Sequence, residues 1–306
     1  MPFRTHTIVG SIALALLFFC GTSSPVSAES GPFHLRIGFS SKAFISAPRE
    51  DVRIAVRVLS QKVARKTVGS ADSKVYDSII DMEKDLKSMK LDMVALTPEE
   101  FIHLRTRTPL EPAMSTVSGK NHEFELLLLV RNDSGLKSVT DLKKKSITLP
   151  LRTSQFGNVY STWIETLIMK DGQGNTDGFF SSMIEVRSSS QAIMSVFFRK
   201  TDGCIVPRQA FDITTELNPQ IASELKTISR IDRLAGGIIA FRQDLPEDRK
   251  QKIRQALMTL HEDQEGRQMF VLFQLDRLTP FRPEYLKGTE TLYAEHKRIK
   301  SRMVTK

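Results

Sequence analysis

Four short turns of this chain carry hydroxyl and amide groups in the arrangement that holds a small oxyanion. The richest is Arg152-Thr153-Ser154-Gln155, directly ahead of a helical pattern that starts at Phe156. The first turn of a helix presents N–H groups without intrahelical partners and a partial positive charge. Two hydroxyls and an amide there add donors, and the planar Arg152 guanidinium adds a bidentate grip for carboxylate, sulfate or phosphate. Ser40-Ser41-Lys42, Thr97 and Ser188-Ser189-Ser190 occupy comparable places, each following a strand-like run. In open α/β sheets, ligands sit beyond the carboxyl ends of the strands. The same residue types also cap helices where no ligand is bound, so each turn has two readings. Phe44, just past the first turn, is a candidate for the lining of a cleft or for the core.

Other chemistries find less support. The six histidines (His6, His34, His103, His122, His261 and His296) lie apart, and none stands at metal-ligand spacing from another His or Cys. Neither a G-x-S-x-G elbow nor a phosphate-binding P-loop is present. Cys204 falls inside an apolar strand pattern, where a thiol is inert. Glu99-Glu100 and Glu123/Glu125 are carboxylate pairs, but the first is accounted for by its place in the opening turn of a helix. The expectation is a protein with no catalytic constellation, no metal and no cofactor.

The elements that must position these turns alternate between strand and helix. Leu35 to Phe39 alternates like a strand, and Val52, Ala55, Val56, Leu59 and Val63 share one helical face. Asp77 to Met89 is helical, Met93 to Leu96 is a short strand, and Thr97-Pro98-Glu99-Glu100 opens another helix with a cap, a proline and two acids. Phe124 to Val130 is an unbroken apolar strand, and the pattern then restarts. Strand Ser146 to Leu149, helix Phe156 to Met169, strand Met183 to Val186, helix Gln191 to Phe198, strand Gly203 to Val206 and a helix around 210–217 follow. Gly237 to Phe241 is a second apolar strand, with helical segments beginning near Pro246 and Asp263. This alternation predicts α/β architecture, with mainly parallel sheets flanked by helices. It divides into two lobes, with crossings near residues 124–131 and 230–242.

Residues 1–28 read as a cleavable secretory signal. Arg4 precedes an apolar run from Ile8 to Cys20, and Val26-Ser27-Ala28 supplies the small residues of a cleavage site. The run is shorter than the roughly 18–20 residues of a membrane-spanning helix. Cleavage would leave about 278 residues with Cys204 as the one cysteine, so no internal disulfide is available. The formal charge of +9 is spread along the chain and interleaved with acids, without the aromatic–basic alternation of a nucleic-acid surface. Nucleic acid is therefore not an expected partner.

The order of motifs resembles the periplasmic phosphate/phosphite/phosphonate-binding proteins, the PhnD-like solute receptors of ABC importers with the type-II periplasmic-binding fold. The resemblance covers essentially the whole chain after the signal. It is carried by Leu35 to Phe39, by Leu91-Asp92-Met93-Val94-Ala95-Leu96-Thr97-Pro98, and by Leu127 to Arg131 with Asn132-Asp133-Ser134-Gly135 and then Asp141-Leu142-Lys143. Ala192 to Val196, with Asp202 beyond, closes the series. The family's Ser-Thr-Ser-Gly-type loop is replaced here by Arg152 to Gly157, and its Gly-Gly-His segment by Arg187-Ser188-Ser189-Ser190.

The resemblance implies two lobes joined by two hinge strands, with a ligand held between them. The expected boundaries are residues 29–126 plus 237–306 for lobe 1 and 127–236 for lobe 2. The expected function is a monomeric periplasmic receptor that closes on a small, phosphonate-like or other anionic ligand and delivers it to an ABC permease. The ligand would be held by Ser40, Ser41, Thr97, Arg152, Thr153, Ser154, Gln155 and Ser189. A sensory protein presenting its ligand state to a membrane receptor kinase is the alternative, and an enzyme on the same scaffold is a third reading.

Overall fold

The computed structural model describes Met1 and residues 33–43, 49–67, 69–119, 122–150, 159–273 and 275–304. The secretory signal, Phe44 and the turn Arg152 to Gln155 lie outside them.

The first half builds a sheet from alternating strands and helices. Strand β1 (Phe33–Ser40) leads through a short 3₁₀ turn to helix α1 (Arg49–Thr67). Acids Glu50 and Asp51 in the first turn of α1, and Arg65 and Lys66 in its last, complement the helix dipole. Then come β2 (Gly69–Tyr76), α2 (Ile79–Lys87), β3 (Met93–Leu96), α3 (Pro98–Leu104) and β4 (Leu110–Val117). A second series follows: β5 (Glu123–Arg131), β6 (Ser146–Pro150), α4 (Val159–Lys170), β7 (Ser182–Val186), α5 (Ser189–Phe197), β8 (Gly203–Pro207), α6 (Arg208–Leu217), α7 (Pro219–Glu224) and β9 (Leu225–Ala235). The chain ends with β10 (Ile238–Arg242), α8 (Glu247–Met258), α9 (Gln264–Leu272), β11 (Arg277–Pro280) and α10 (Lys287–Val304).

These strands form two sheets, ordered β11-β4-β10-β3-β1-β2 and β7-β6-β8-β5-β9. Each sheet is mixed. The βαβ units give parallel pairs (β1 with β2 and β3, β6 with β7 and β8), whereas β10, β4 and β11 in one sheet and β8, β5 and β9 in the other pair antiparallel. The strands that run antiparallel to their neighbours are mainly those reached after a crossing between sheets, which alternation along the chain does not reveal. All of β5 lies in the second sheet, so the first crossing is the connection 118–122, and Gly236-Gly237 is the second.

Each sheet is covered on both faces. On the first, α1, α8 and α9 pack with Leu35, Ile37 and Phe241 on one side, while Met82, Phe101 and Leu104 fill the other. Strand β5 explains its own composition in the second sheet. Leu126, Leu128 and Val130 face the core under α4, and Leu127 and Leu129 face α5, so no position between 126 and 130 is left for a polar residue.

Two acids, one buried and one half-exposed, set the strand register. Asp92, fully buried before β3, accepts from the backbone N–H of Arg36 at 2.9 Å and from its guanidinium at 2.8 and 2.7 Å; Arg242 of β10 stands 3.5 Å away. Asp202, before β8, likewise accepts from the backbone N–H and hydroxyl of Ser146 at the start of β6, at 2.8 and 2.9 Å.

Helices α8 and α9 pack on the first sheet, whereas α10 carries Leu292 into the core of the second sheet beside Trp163 and Ile164.

Cys204 is fully buried in β8 between α5 and β5, and burial pushes its thiol well above the ordinary range. Iodoacetamide is expected to leave Cys204 unmodified in the native protein and to label it in urea, as read by mass spectrometry; native labelling would contradict this packing.

Candidate functional site

A cavity of about 1360 Å³ opens between the two sheets. Thr116 and Ser118 at the end of β4, and Val271 and Leu275 around the end of α9, line it from the first lobe. Pro150, Ser188, Ser189, Pro207 and Arg208, at the carboxyl ends of β6, β7 and β8, line it from the second. This is the place where an open α/β sheet receives a ligand.

The floor is built from the two crossings. Gly236 lines the cavity, and a Cβ there would lie 2.7 Å from Thr116 Oγ1 and 3.1 Å from its carbonyl oxygen. Gly237 accepts from the backbone N–H of Thr116 at 2.9 Å, so the second crossing packs backbone to backbone on the end of β4. Gly236→Ala is expected to lower stability by about 1–3 kcal/mol through this overlap, measured as a fall in the urea midpoint; an unchanged midpoint would mean the second crossing moves off β4 freely. His122, on the other crossing, bonds Thr279 Oγ1 at 3.1 Å through Nδ1 and stacks on Tyr285 at 4.7 Å.

The sequence-predicted residues divide into three groups. Ser189, half-buried at the start of α5, lines the cavity, and Ser188 caps the same helix by accepting from Gln191 N–H at 3.2 Å. Ser40 and Thr97 are brought together, but around a carboxylate. Ser40 Oγ donates to Glu100 Oε1 at 2.8 Å, and the hydroxyl and N–H of Thr97 donate to Oε2 at 3.2 and 3.1 Å. Glu100 N–H donates back to Thr97 Oγ1, completing a capping box. Ser40, Thr97 and Glu100 are all buried, and neither hydroxyl lines the cavity; Ser41, half-buried in the turn after β1, does not line it either. Arg152, Thr153, Ser154 and Gln155 lie outside the described residues.

Sequence reasoning missed Arg208, the first residue of α6. The β5–β8 register sets Leu126 opposite Pro207, which brings Glu125 beside Arg208. Glu125 Oε2 accepts from Arg208 Nε at 2.5 Å and Oε1 from Nη2 at 3.4 Å, while Asp212 stands 3.8 Å from Nη1. The Glu125 pair holds the Arg208 guanidinium above its ordinary pKa. A sequence separation of 83 residues leaves no local signal for such a pair. The Arg208 side chain is 40% exposed and faces the cavity with Arg187 and Arg233. Carboxylates outnumber these guanidiniums along the lining, among them Glu123, Asp212, Asp232 and Asp276. An anion here must be held by directed donors, because the overall field does not favour it.

Residues 47–286 match the family described as ABC transporter, phosphonate, periplasmic substrate-binding protein. The chain belongs to that family. Three solved structures share the phosphonate-binding family's two-lobed fold. A protein of Xanthomonas citri bound to chloride ion superposes with a TM-score of 0.62 at 15% identity, over 88% of this chain and 99% of its own. A binding protein component of an ABC phosphonate transporter from Pseudomonas aeruginosa gives 0.59 at 14% identity, covering 89% and 88%. PhnD1 of Prochlorococcus marinus, in complex with methylphosphonate, gives 0.58 at 16% identity, covering 86% and 97%. No protein of curated function matches the sequence. Among the described residues of this substrate-binding protein, no helix is long and apolar enough to cross a membrane.

The motifs that carried the resemblance have structural roles here. Asp92 and Asp202 set strand register. Asp133 pairs with Arg131 at 2.9 Å and Arg199 at 2.5 Å, and Asp141 accepts from the N–H groups of Lys137 and Ser138 at 2.8 and 2.9 Å. Gly135 takes φ 75°, which favours glycine.

Proposed function

We propose that this protein is exported through residues 1–28, works as a monomer in the periplasm, and captures a small oxyanion of the phosphonate or phosphate type for an ABC permease. The observation that carries the reading is the cavity lined from both lobes, with Arg208, Arg187 and Ser189 on one wall. A ligand that touches both walls stabilises the closed form by its differential contacts, which is how such a receptor signals that it is loaded.

The proposed lobes are residues 33–117 with 238–286, and residues 123–235 with α10; sheet membership and the packing of Leu292 support this division. The turn Arg152 to Gln155 is proposed to join Ser189 and Arg208 in holding the anion. Ser40 and Thr97 are proposed to act indirectly, by fixing Glu100 and the start of α3, with Ser41 beside them in the turn after β1.

Isothermal titration of the protein without residues 1–28 against methylphosphonate, phosphite, phosphate, alkyl sulfonates and carboxylates tests the reading. Saturable one-to-one binding of at least one phosphorus oxyanion is expected. A folded protein that binds none of them would overturn it.

A further inference from the structure

The chain passes between the lobes a third time. Leu286, just before α10, is buried in the first lobe with Phe101, and Leu292, two turns on, is buried in the second with Trp163. Both ends of this passage are fastened. On the first lobe Glu290 pairs with Arg105, just past α3. On the hinge strand β9, the N–H of Ala235 donates to Thr289 Oγ1 at 2.9 Å. On the second lobe Glu165 of α4 holds His296 at 2.7 Å and Lys300 at 3.2 Å, and Lys170 of α4 holds Glu295 at 2.9 Å. Gly288 lies against the backbone of β9, where a Cβ would fall 2.1 Å from the Arg233 carbonyl oxygen.

We propose that α10 is a strap across the two lobes, and that its fastenings hold the ligand-free protein open. The two strand crossings, one of them a Gly-Gly pair, also join the lobes. A helix tied at both ends is stiff along its axis and cannot follow the lobes without shearing its contacts. The fastenings are made in a conformation whose cleft, at about 1360 Å³, is wider than the roughly 300–1,000 Å³ usual for a ligand cleft or cavity. They therefore favour the open arrangement, and cutting them moves the population toward the closed one. The inference deepens the receptor reading and takes from it only that the lobes move.

The test reads the ligand-free protein. Spin labels at Leu217→Cys and Val271→Cys, both highly exposed at the ends of α6 and α9, report the interlobe distance by double electron–electron resonance. Cys204 is fully buried, and Cys20 is replaced by serine. Glu165→Gln at one end and Glu290→Gln at the other are each expected to shift the distribution to shorter distances. Lys300→Gln, which removes one of the two Glu165 contacts, is expected to shift it less and covers the case of poor folding in Glu165→Gln. Unchanged or longer distances in the folded variants, even with lower thermal stability, would overturn the strap and reduce α10 to packing. The receptor reading stands or falls separately, on the titrations.

Discussion

Replacing Arg36 by alanine should destabilise the protein by about 3–5 kcal/mol, the cost of leaving a buried charge without its partner. Asp92 is fully buried, and Arg36 gives it three of its donors. Without that guanidinium the carboxylate keeps the Arg36 backbone N–H and the more distant Arg242. Asp92→Ala should cost less, about 2–4 kcal/mol, because the Arg36 side chain is 37% exposed and water can replace its partner. The double variant should then fall well short of the sum of the two, with a coupling of about 1–3 kcal/mol in urea unfolding. Additive losses would show that the pair contributes no interaction of its own, and that the strand register is fixed elsewhere.

The second large effect is on binding. Arg208→Gln should weaken an oxyanion by about 10–100-fold, the worth of a charge-assisted hydrogen bond of roughly 1.5–3 kcal/mol. Glu125→Gln is the informative companion. It removes the carboxylate that shares the guanidinium with the ligand, so affinity should hold or rise even as the side chain loses some order. Calorimetry on both variants with a bound phosphorus oxyanion decides the matter. A parallel loss in both would mean that Glu125 positions Arg208 and does not compete for it. Wild-type affinity in Arg208→Gln would place the anion elsewhere in the cavity.

The contrast between Thr97 and Arg208 shows what the chain discloses by itself. Thr97-Pro98-Glu99-Glu100 carries the spacing of a capping box, so the partner of the Thr97 hydroxyl was readable three residues away. The approach of Ser40 to the same carboxylate depends on the pairing of β1 with β3, and was not readable. Arg208 and Glu125 meet only through the register of β5 and β8. Strands with apolar runs, such as β5 and β8, are evident because both faces are covered. Strands β2 and β9 are missed for the opposite reason: both are sheet edges, and GSADSKVY and LKTISRIDRLA alternate polar residues along an exposed side. In the C-terminal segment Lys297, Arg298, Lys300 and Arg302 leave little apolar pattern to reveal its packing. Its function in packing rests on Leu292 and His296, whose partners lie in α4.

The interleaving of the two lobes bears on synthesis and on the proposed export. The core of the first lobe needs Phe241, Ile253, Phe270 and Leu278, and that of the second needs Leu292. A ribosome-bound chain short of those residues can finish neither half, however much of it has emerged. The native state thus forms late and nearly all at once, which leaves a window in which an unfolded chain can still be threaded through a narrow pore.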